Sequence, residues 1–123
     1  MLTMMVVDDS NIIRSKISRV SNGERFEVVA TAHDGIDALD KFRKFRPQVI
    51  TMDLTMPNME GTEAISSLIE MDPDVRILVV SALSDQATGI EALERGAAGF
   101  LLKPFSDAEL NEALEELTED VHA

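Results

Sequence analysis

The sequence of 123 residues contains 45% hydrophobic residues, 28% charged residues and no cysteine. A chain of this length can bury a hydrophobic core without disulfides or structural metals, so its composition excludes a mainly disordered chain and a disulfide scaffold. The apolar start, residues 1–7, is too short for a signal peptide or a membrane span and is followed at once by two aspartates. We expect one cytoplasmic domain over residues 1–123.

The formal net charge of −12 opposes nucleic-acid binding, because phosphate backbones attract basic surfaces. Residues 1–59 contain 8 acidic and 8 basic residues, whereas residues 60–123 contain 15 acidic and 3 basic ones. The second half of the chain therefore holds the whole excess of negative charge.

Five short apolar segments alternate with stretches of helical periodicity, a pattern typical of parallel strands joined by helices. The segments are residues 2–7, 26–32, 49–52, 77–80 and 99–102. Residues 26–32 alternate large side chains with polar or small ones, which predicts an edge strand. The other four segments predict buried strands.

Each strand segment is followed by an apolar repeat at helical spacing. The five repeats are Ile13-Ile17-Val20, Ile36-Leu39-Phe42, Ile65-Leu68-Ile69, Ala87-Ile90-Leu93 and Leu110-Ala113-Leu114-Leu117. Ser10 can cap the first helix, Asp34 precedes the repeat of the second as its start signal, and Ser106 with Glu109 predicts a capping box for the fifth helix. The third helix is expected from about Gly61.

The fourth helix is expected to follow Ser84 and Asp85 and to end at Gly96, where a left-handed residue is wanted. Gly89 lies in its interior, where glycine costs about 1 kcal/mol relative to alanine. We therefore expect this helix to be the least stable of the five.

Polar residues stand at the ends of four predicted strands. In a doubly wound α/β fold with right-handed crossovers, the ligand site lies at the carboxyl ends of the strands. The residues at these ends are Asp8 and Asp9, Asp53, Ser81, and Lys103 with Pro104. Each one alone also fits a helix cap, a turn or a solvated charge. Their common position at one sheet edge predicts a site.

Three carboxylates at one edge repel one another unless a proton or a cation compensates them. Mg²⁺ prefers oxygen ligands and typically takes one or two carboxylates together with phosphate oxygens. Asp9 and Asp53 are candidate direct ligands, with Asp8 acting through water or by orientation. Beside Lys103, such an ion would attract a phosphoryl group. Asp53 could attack its phosphorus, and Ser81 could donate a hydrogen bond to it.

These residues resemble the receiver domain of bacterial two-component response regulators, especially the single-domain chemotaxis type. The resemblance covers essentially the whole chain. It rests on four ordered motifs: VVDDS (6–10), VITMDLTMPNMEG (49–61), VVSAL (79–83) and GAAGFLLKPF (96–105). It implies a flavodoxin-like α/β fold, with five parallel strands in the order 2-1-3-4-5 and five helices.

The resemblance also implies a chemistry. Asp53 would accept a phosphoryl group from a phosphohistidine on a sensor histidine kinase or phosphotransfer protein. Mg²⁺ would be bound by Asp8, Asp9, Asp53 and the backbone carbonyl of Thr55. The protein would catalyse its own phosphorylation and dephosphorylation, without turnover of a separate substrate. Thr55 and Leu83 would influence how readily water reaches the phosphoryl group.

A conformational switch is part of the same resemblance. Ser81 would take the hydroxyl role and Lys103 would contact the phosphoryl group. Phe100 would be the aromatic switch residue, without the hydroxyl of the tyrosine often found there. Phosphorylation would draw Ser81 toward the phosphoryl group and let the Phe100 ring turn into the vacated space, which changes the surface of helix 4, strand 5 and helix 5. The Lys103–Pro104 peptide bond would be cis.

Other functions fit the residues less well. A haloacid-dehalogenase phosphatase needs a second aspartate two residues after its nucleophile, where this chain has Thr55. A flavodoxin needs a neutral phosphate loop where this chain has Asp8 and Asp9, and no glycine-rich nucleotide motif is present. Four other roles stay open. They are a phosphorelay intermediate, a phosphate sink, an unphosphorylated binding module, and the receiver part of a longer regulator with DNA-binding or enzymatic output.

The surface expected to change on phosphorylation, that of helix 4, strand 5 and helix 5, is acidic. The residues concerned are Asp85, Glu91, Glu94, Asp107, Glu109, Glu112, Glu115 and Glu116. We therefore expect a downstream protein partner with a basic surface, bound by a monomer, and no nucleic-acid or membrane partner. His33 and His122 match no metal-binding spacing and are expected to be ordinary surface or loop residues.

Overall fold

A computed structural model describes residues 1–54, 56, 59, 61–82 and 86–121. The strands are β1 (Leu2–Val7), β2 (Phe26–Ala32), β3 (Val49–Asp53), β4 (Arg76–Ala82) and β5 (Gly99–Lys103). The helices are α1 (Asn11–Ser21), α2 (Gly35–Phe45), α3 (Gly61–Met71), α4 (Gln86–Glu94) and α5 (Asp107–Leu117). All strand pairs are parallel, and the order β2-β1-β3-β4-β5 confirms the predicted topology.

The strands differ from the sequence prediction at β4 and β5. The fourth strand extends beyond the predicted 77–80 at both ends. The prediction of a buried fifth strand is wrong for most of its length, because only Leu101 is buried and Leu102 is 37% exposed. The physical reason is position: β5, like β2, is an edge strand of this sheet, so one of its sides lacks a neighbouring strand.

The helix caps follow the sequence signals. The Ser10 hydroxyl accepts a hydrogen bond from the Ile13 amide, and the Asp34 carboxylate accepts one from the Asp37 amide. Both halves of the predicted capping box of α5 are formed. Gly96 has a φ of 118°, which confirms the left-handed position after α4. The expected start of α4 at Ser84 and Asp85 lies outside the described residues.

Two hydrophobic cores cover the two faces of the sheet. One contains buried residues of α2, α3 and α4, among them Phe42, Ile65 and Ala92. The other contains buried residues of α1 and α5, among them Ile17 and Leu110. Helices on both faces leave the carboxyl ends of the strands as the open edge at which polar residues collect.

The apolar repeats of α2 and α4 do not face the core throughout. Ile36 is 49% exposed, Ile90 59% and Leu93 43%, whereas Ala92 is fully buried. On α4 the small residue Ala92 faces the core and the large apolar residues lie outside, whereas α2 still buries the large residue Phe42 and exposes only Ile36 of its repeat. Within the part of the chain that is described, no helix has the length and apolar character needed to cross a membrane.

Candidate phosphoacceptor site

Three aspartates meet at the carboxyl edge of the sheet. Asp53 is the last residue of β3, and Asp8 and Asp9 directly follow β1, its neighbour. One carboxylate oxygen from each of the three lies within 4.8 Å of the others. Asp8 and Asp53 are buried, whereas Asp9 is exposed. The arrangement is a cluster of oxygen donors that is open to solvent on the Asp9 side.

Lys103, the last residue of β5, supplies the positive charge of the cluster. Its ammonium nitrogen lies 3.2 Å from Oδ2 of Asp8 and 3.5 Å from Oδ1 of Asp53. Burial by itself lowers the pKa of Lys103, but the charges of Asp53 and Asp8 and their hydrogen bonds outweigh that effect and raise the pKa above its usual value. The ammonium group is therefore charged at neutral pH and bridges two of the three carboxylates.

The start of α1 holds Asp8 in place. The Ser10 backbone N–H donates to Oδ1 of Asp8 at 2.9 Å, and the Arg14 guanidinium donates to the Asp8 backbone carbonyl at 2.8 Å. Arg14 also donates to the side chain of Asn11. The residues that directly follow β1 thus both cap α1 and fix the carboxylate of Asp8.

Gly61 lets the start of α3 lie close to the end of β3. Its amide donates to the Leu54 carbonyl at 3.1 Å. A Cβ atom at this position would lie 2.6 Å from the Asp53 carbonyl oxygen and 2.7 Å from Cα of Leu54. Sequence reasoning used Gly61 only as the start of a helix and missed this role. The glycine between a strand-end aspartate and a helix was the available signal.

A second glycine contact involves Met59, which lies between β3 and α3. A Cβ atom on Gly35, the first residue of α2, would lie 2.7 Å from Cβ of Met59. Met59, a described residue between β3 and α3, therefore packs against the beginning of α2, and a side chain at position 35 would have to displace it. Sequence analysis did not anticipate this contact, because the start of α2 and Met59 are distant in sequence.

Ser81 lies near the end of β4, the strand between those of Asp53 and Lys103. The register pairs Val80 with Asp53 and Ala82 with Lys103, which places Ser81 between these two levels of the sheet. Ser81 is buried, and its hydroxyl donates to the neighbouring Ala82 carbonyl at 3.3 Å.

Phe100 is half-buried on β5, and its ring packs against α4. The Lys103–Pro104 peptide bond is cis, in agreement with the implication of the resemblance. Thr55, Leu83, Asp85 and His122 lie outside the described residues.

His33 lies beside α2 and is not part of the aspartate cluster. Its Nδ1 is 2.9 Å from Oδ2 of Asp37, and its Nε2 is 3.5 Å from Oδ2 of Asp34. These contacts belong to the start of the helix, as expected of a surface histidine.

The family model of the response regulator receiver domain matches residues 4–115. This chain belongs to the response regulator receiver family. The matched region contains Asp8, Asp9, Asp53, Ser81 and Lys103, so the resemblance recognised from the motifs is confirmed. This family differs from the two competing assignments, the haloacid-dehalogenase phosphatases and the flavin-binding flavodoxins.

Individual relatives include chemotaxis proteins. The chemotaxis protein CheY of Listeria monocytogenes is 36% identical over 115 residues, which is 94% of this chain and 97% of the relative. The response regulator domain of Thermotoga maritima CheB is 34% identical and superimposes with a TM-score of 0.84, covering 99% of this chain and 98% of that one. The CheX–CheY complex with BeF3 and Mg²⁺ from Borrelia burgdorferi matches at 28% identity with a TM-score of 0.88, covering 94% and 88%.

Proposed function

We propose that the protein is a Mg²⁺-dependent phosphoacceptor in two-component signalling, with Asp53 as the residue that is phosphorylated. The observation that carries this proposal is the position of Asp53. Asp53 is the last residue of a central strand, and its carboxylate lies 3.5 Å from the Lys103 ammonium group. Carboxylate oxygens of Asp53 and of the two aspartates that follow β1 lie within 4.8 Å of one another. Asp53 is thus surrounded by a lysine and by two further carboxylates. This arrangement suits phosphoryl transfer, which depends on positioning and on charge neutralisation.

In the proposed step, an oxygen of the Asp53 carboxylate attacks the phosphorus of a phosphohistidine on a sensor kinase or phosphotransfer protein. A P–O bond forms while the P–N bond breaks, and the histidine nitrogen leaves and is reprotonated from solvent. Lys103 binds the negatively charged oxygens of the transferred group, and the Ser81 hydroxyl turns from the Ala82 carbonyl to donate to one of them. Water later hydrolyses the acyl phosphate, which restores Asp53 and releases inorganic phosphate.

The donor set fits a magnesium ion, because Asp8, Asp9 and Asp53 offer oxygen ligands at mutual distances of at most 4.8 Å. The backbone carbonyl of Thr55 is the expected fourth protein ligand. When bound, the ion supplies positive charge that offsets the repulsion between carboxylates and phosphoryl oxygens. The Ser10 amide orients the carboxylate of Asp8 through a hydrogen bond. Asp9 lies on the solvent side, where an ion can enter.

Phosphorylation is proposed to change the surface of α4, β5 and α5 through Ser81 and Phe100, and a downstream protein to read that change. This surface contains Glu91, Glu94, Glu112 and Glu116, all exposed, which supports a partner with a basic surface. Such binding weakens with added salt, because exposed charges are screened. Partner binding that is insensitive to salt would contradict the charge argument.

The chemotaxis relatives favour chemotaxis as the biological setting, with the protein acting in the cytoplasm as a monomer. A phosphorelay intermediate, a phosphate sink and the receiver part of a longer regulator use the same Asp53 chemistry and differ in the fate of the phosphoryl group or in the domain that responds to it. The Thermotoga maritima CheB relative, a response regulator domain, supports keeping the last of these as an alternative.

The deciding experiment incubates the protein with Mg²⁺ and acetyl phosphate and follows intact mass. We expect a gain of one phosphoryl group that is acid-stable and base-labile, and that is absent without Mg²⁺. Asp53→Asn should abolish the gain, whereas Asp40→Asn on the exposed surface of α2 should leave it unchanged. A gain that persists in Asp53→Asn would place the chemistry at another residue.

A further inference from the structure

The Phe100 ring occupies the space beside Gly89 that a side chain would fill. A Cβ atom on Gly89 would lie 2.1 Å from Cε2, 2.9 Å from Cζ and 3.0 Å from Cδ2 of Phe100. Real Cβ atoms essentially never lie closer than 3.0 Å to such atoms. No other L-residue at position 89 is therefore compatible with this position of the ring. Gly89 itself is buried.

No feature of the local sequence explains this glycine. Gly89 lies inside α4, where glycine disfavours the helix, and neither a turn nor a helix end requires it there. Its neighbours on the helix, Ile90 and Leu93, are exposed. Together with Gly89 and Phe100 they line an apolar cavity of about 310 Å³. The ring contact supplies the physical reason for a glycine at this point.

We infer that Gly89 is a positioning residue of the switch: it forms a notch on α4 that holds the Phe100 ring in the unphosphorylated protein. The inference rests on the proposed function, because it concerns the ring that phosphorylation is proposed to move. The notch stabilises the ring position against α4 and so opposes the turn of the ring into the space vacated by Ser81.

A methyl group at position 89 should therefore displace the ring rather than the helix. The ring is the end of a side chain that can rotate, whereas α4 is anchored by the fully buried Ala92 three residues further on. In Gly89→Ala, the ring position against α4 becomes unfavourable and the alternative position gains population. Since that alternative is the one proposed for the phosphorylated protein, the variant should accept a phosphoryl group more readily.

The first test observes the ring. In the full-length wild-type protein, NMR should show NOEs between the Phe100 ring protons and the Hα protons of Gly89. In Gly89→Ala, contacts of the ring with residue 89 should be lost and the ring resonances should shift toward those of the wild type phosphorylated by acetyl phosphate. A ring that keeps its contact with residue 89 would overturn the inference.

The second test measures the rate of Asp53 phosphorylation by acetyl phosphate and Mg²⁺. We expect Gly89→Ala to raise it by about fivefold or more, within the usual range of coupling between two sites. In a Phe100→Ala background the same substitution should change the rate little, because no ring is left to displace. Equal acceleration in both backgrounds, or an unchanged or lower rate in Gly89→Ala alone, would overturn the inference.

A double-mutant cycle on urea unfolding covers the case in which the single variant folds poorly. In the Phe100→Ala background, Gly89→Ala should stabilise the protein, because alanine favours the helix. With Phe100 present it should stabilise less or destabilise, and equal effects in both backgrounds would refute the notch. A wild type that gains no phosphoryl group would refute the proposed function, whereas a phosphorylated wild type with an unaccelerated Gly89→Ala would refute this inference alone.

Discussion

The ammonium group of Lys16 donates a hydrogen bond to the backbone carbonyl of Phe105 at 2.7 Å and lies 4.8 Å from the centroid of its ring. Lys16 belongs to α1, and Phe105 stands two residues after Lys103 in the loop between β5 and α5. One side chain thus ties the helix that follows Asp8 and Asp9 to the loop that follows Lys103. This contact connects two sides of the aspartate cluster without taking part in it.

Replacing Lys16 with methionine should loosen this loop while retaining the aliphatic packing. Loss of one partly exposed charged hydrogen bond should lower the free energy of unfolding by about 1 kcal/mol. If the loop positions Lys103, phosphorylation by acetyl phosphate should slow by about two- to fivefold. Urea unfolding and phosphorylation kinetics measure the two effects. Arg19→Met, an exposed substitution on the same helix, is the control, and an unchanged rate in Lys16→Met would show that the loop holds Lys103 without it.

Lys103→Met should destabilise the metal-free protein, because it leaves the buried carboxylates of Asp8 and Asp53 without their cation. The expected loss is about 1–3 kcal/mol, as for an interrupted, partly buried charged contact. Mg²⁺ should reduce the loss, since a divalent ion replaces the missing positive charge. Urea unfolding with and without Mg²⁺ tests this, and Lys44→Met, which removes an exposed lysine of α2, is the control. A loss that is the same with and without Mg²⁺ would mean that the lysine and the ion do not share these carboxylates.

The positions of the site residues were predictable because strand ends in a parallel sheet are fixed by topology. Asp53 ends β3 and Lys103 ends β5, so once the alternating pattern was recognised, their meeting at one edge followed. The caps at Ser10, Asp34 and Ser106 were predictable for a different reason, since they depend on residues only three positions apart.

The orientation of α4 could not be predicted in the same way. Its apolar repeat contains Ile90 and Leu93, yet the helix buries Gly89 and Ala92. Periodicity is judged mainly from large apolar residues, and on a helix that lies close to the sheet the inner face is built from small ones. The contacts of Gly61 with Asp53 and of Gly35 with Met59 were missed for a related reason, because a missing side chain leaves no pattern in the sequence.

Gly61→Ala should disturb the site through the backbone. The new Cβ atom would meet the Asp53 carbonyl oxygen at 2.6 Å and Cα of Leu54 at 2.7 Å, and neither atom can move without shifting the end of β3. We expect a loss of about 1–3 kcal/mol in the free energy of unfolding, typical of overpacking, together with slower Asp53 phosphorylation. Gly23→Ala is a matched control, since nothing lies within 4 Å of its new Cβ atom. If both variants behave like the wild type, the close approach at Gly61 does not constrain Asp53.

Magnesium should stabilise the folded protein, because the three aspartates are brought within 4.8 Å of one another only in the fold. Binding to the folded state alone adds about 2.7 kcal/mol to the free energy of unfolding when the free ion is at about 100 times its dissociation constant. Asp9→Asn should have two effects of opposite sign. It removes one repelling charge, so the metal-free protein becomes more stable, and it removes a ligand, so the increment from Mg²⁺ shrinks.

Thermal and urea unfolding across a Mg²⁺ titration separate these two effects. Glu24→Gln removes one negative charge from an exposed turn and should keep the full wild-type increment. If Asp9→Asn and Glu24→Gln lose the same share of the increment, the ion responds to net charge rather than to a site. If Asp9→Asn alone loses it while its metal-free stability rises, then repulsion among these carboxylates is what the ion relieves, and the same repulsion would oppose the arrival of a phosphoryl group in its absence.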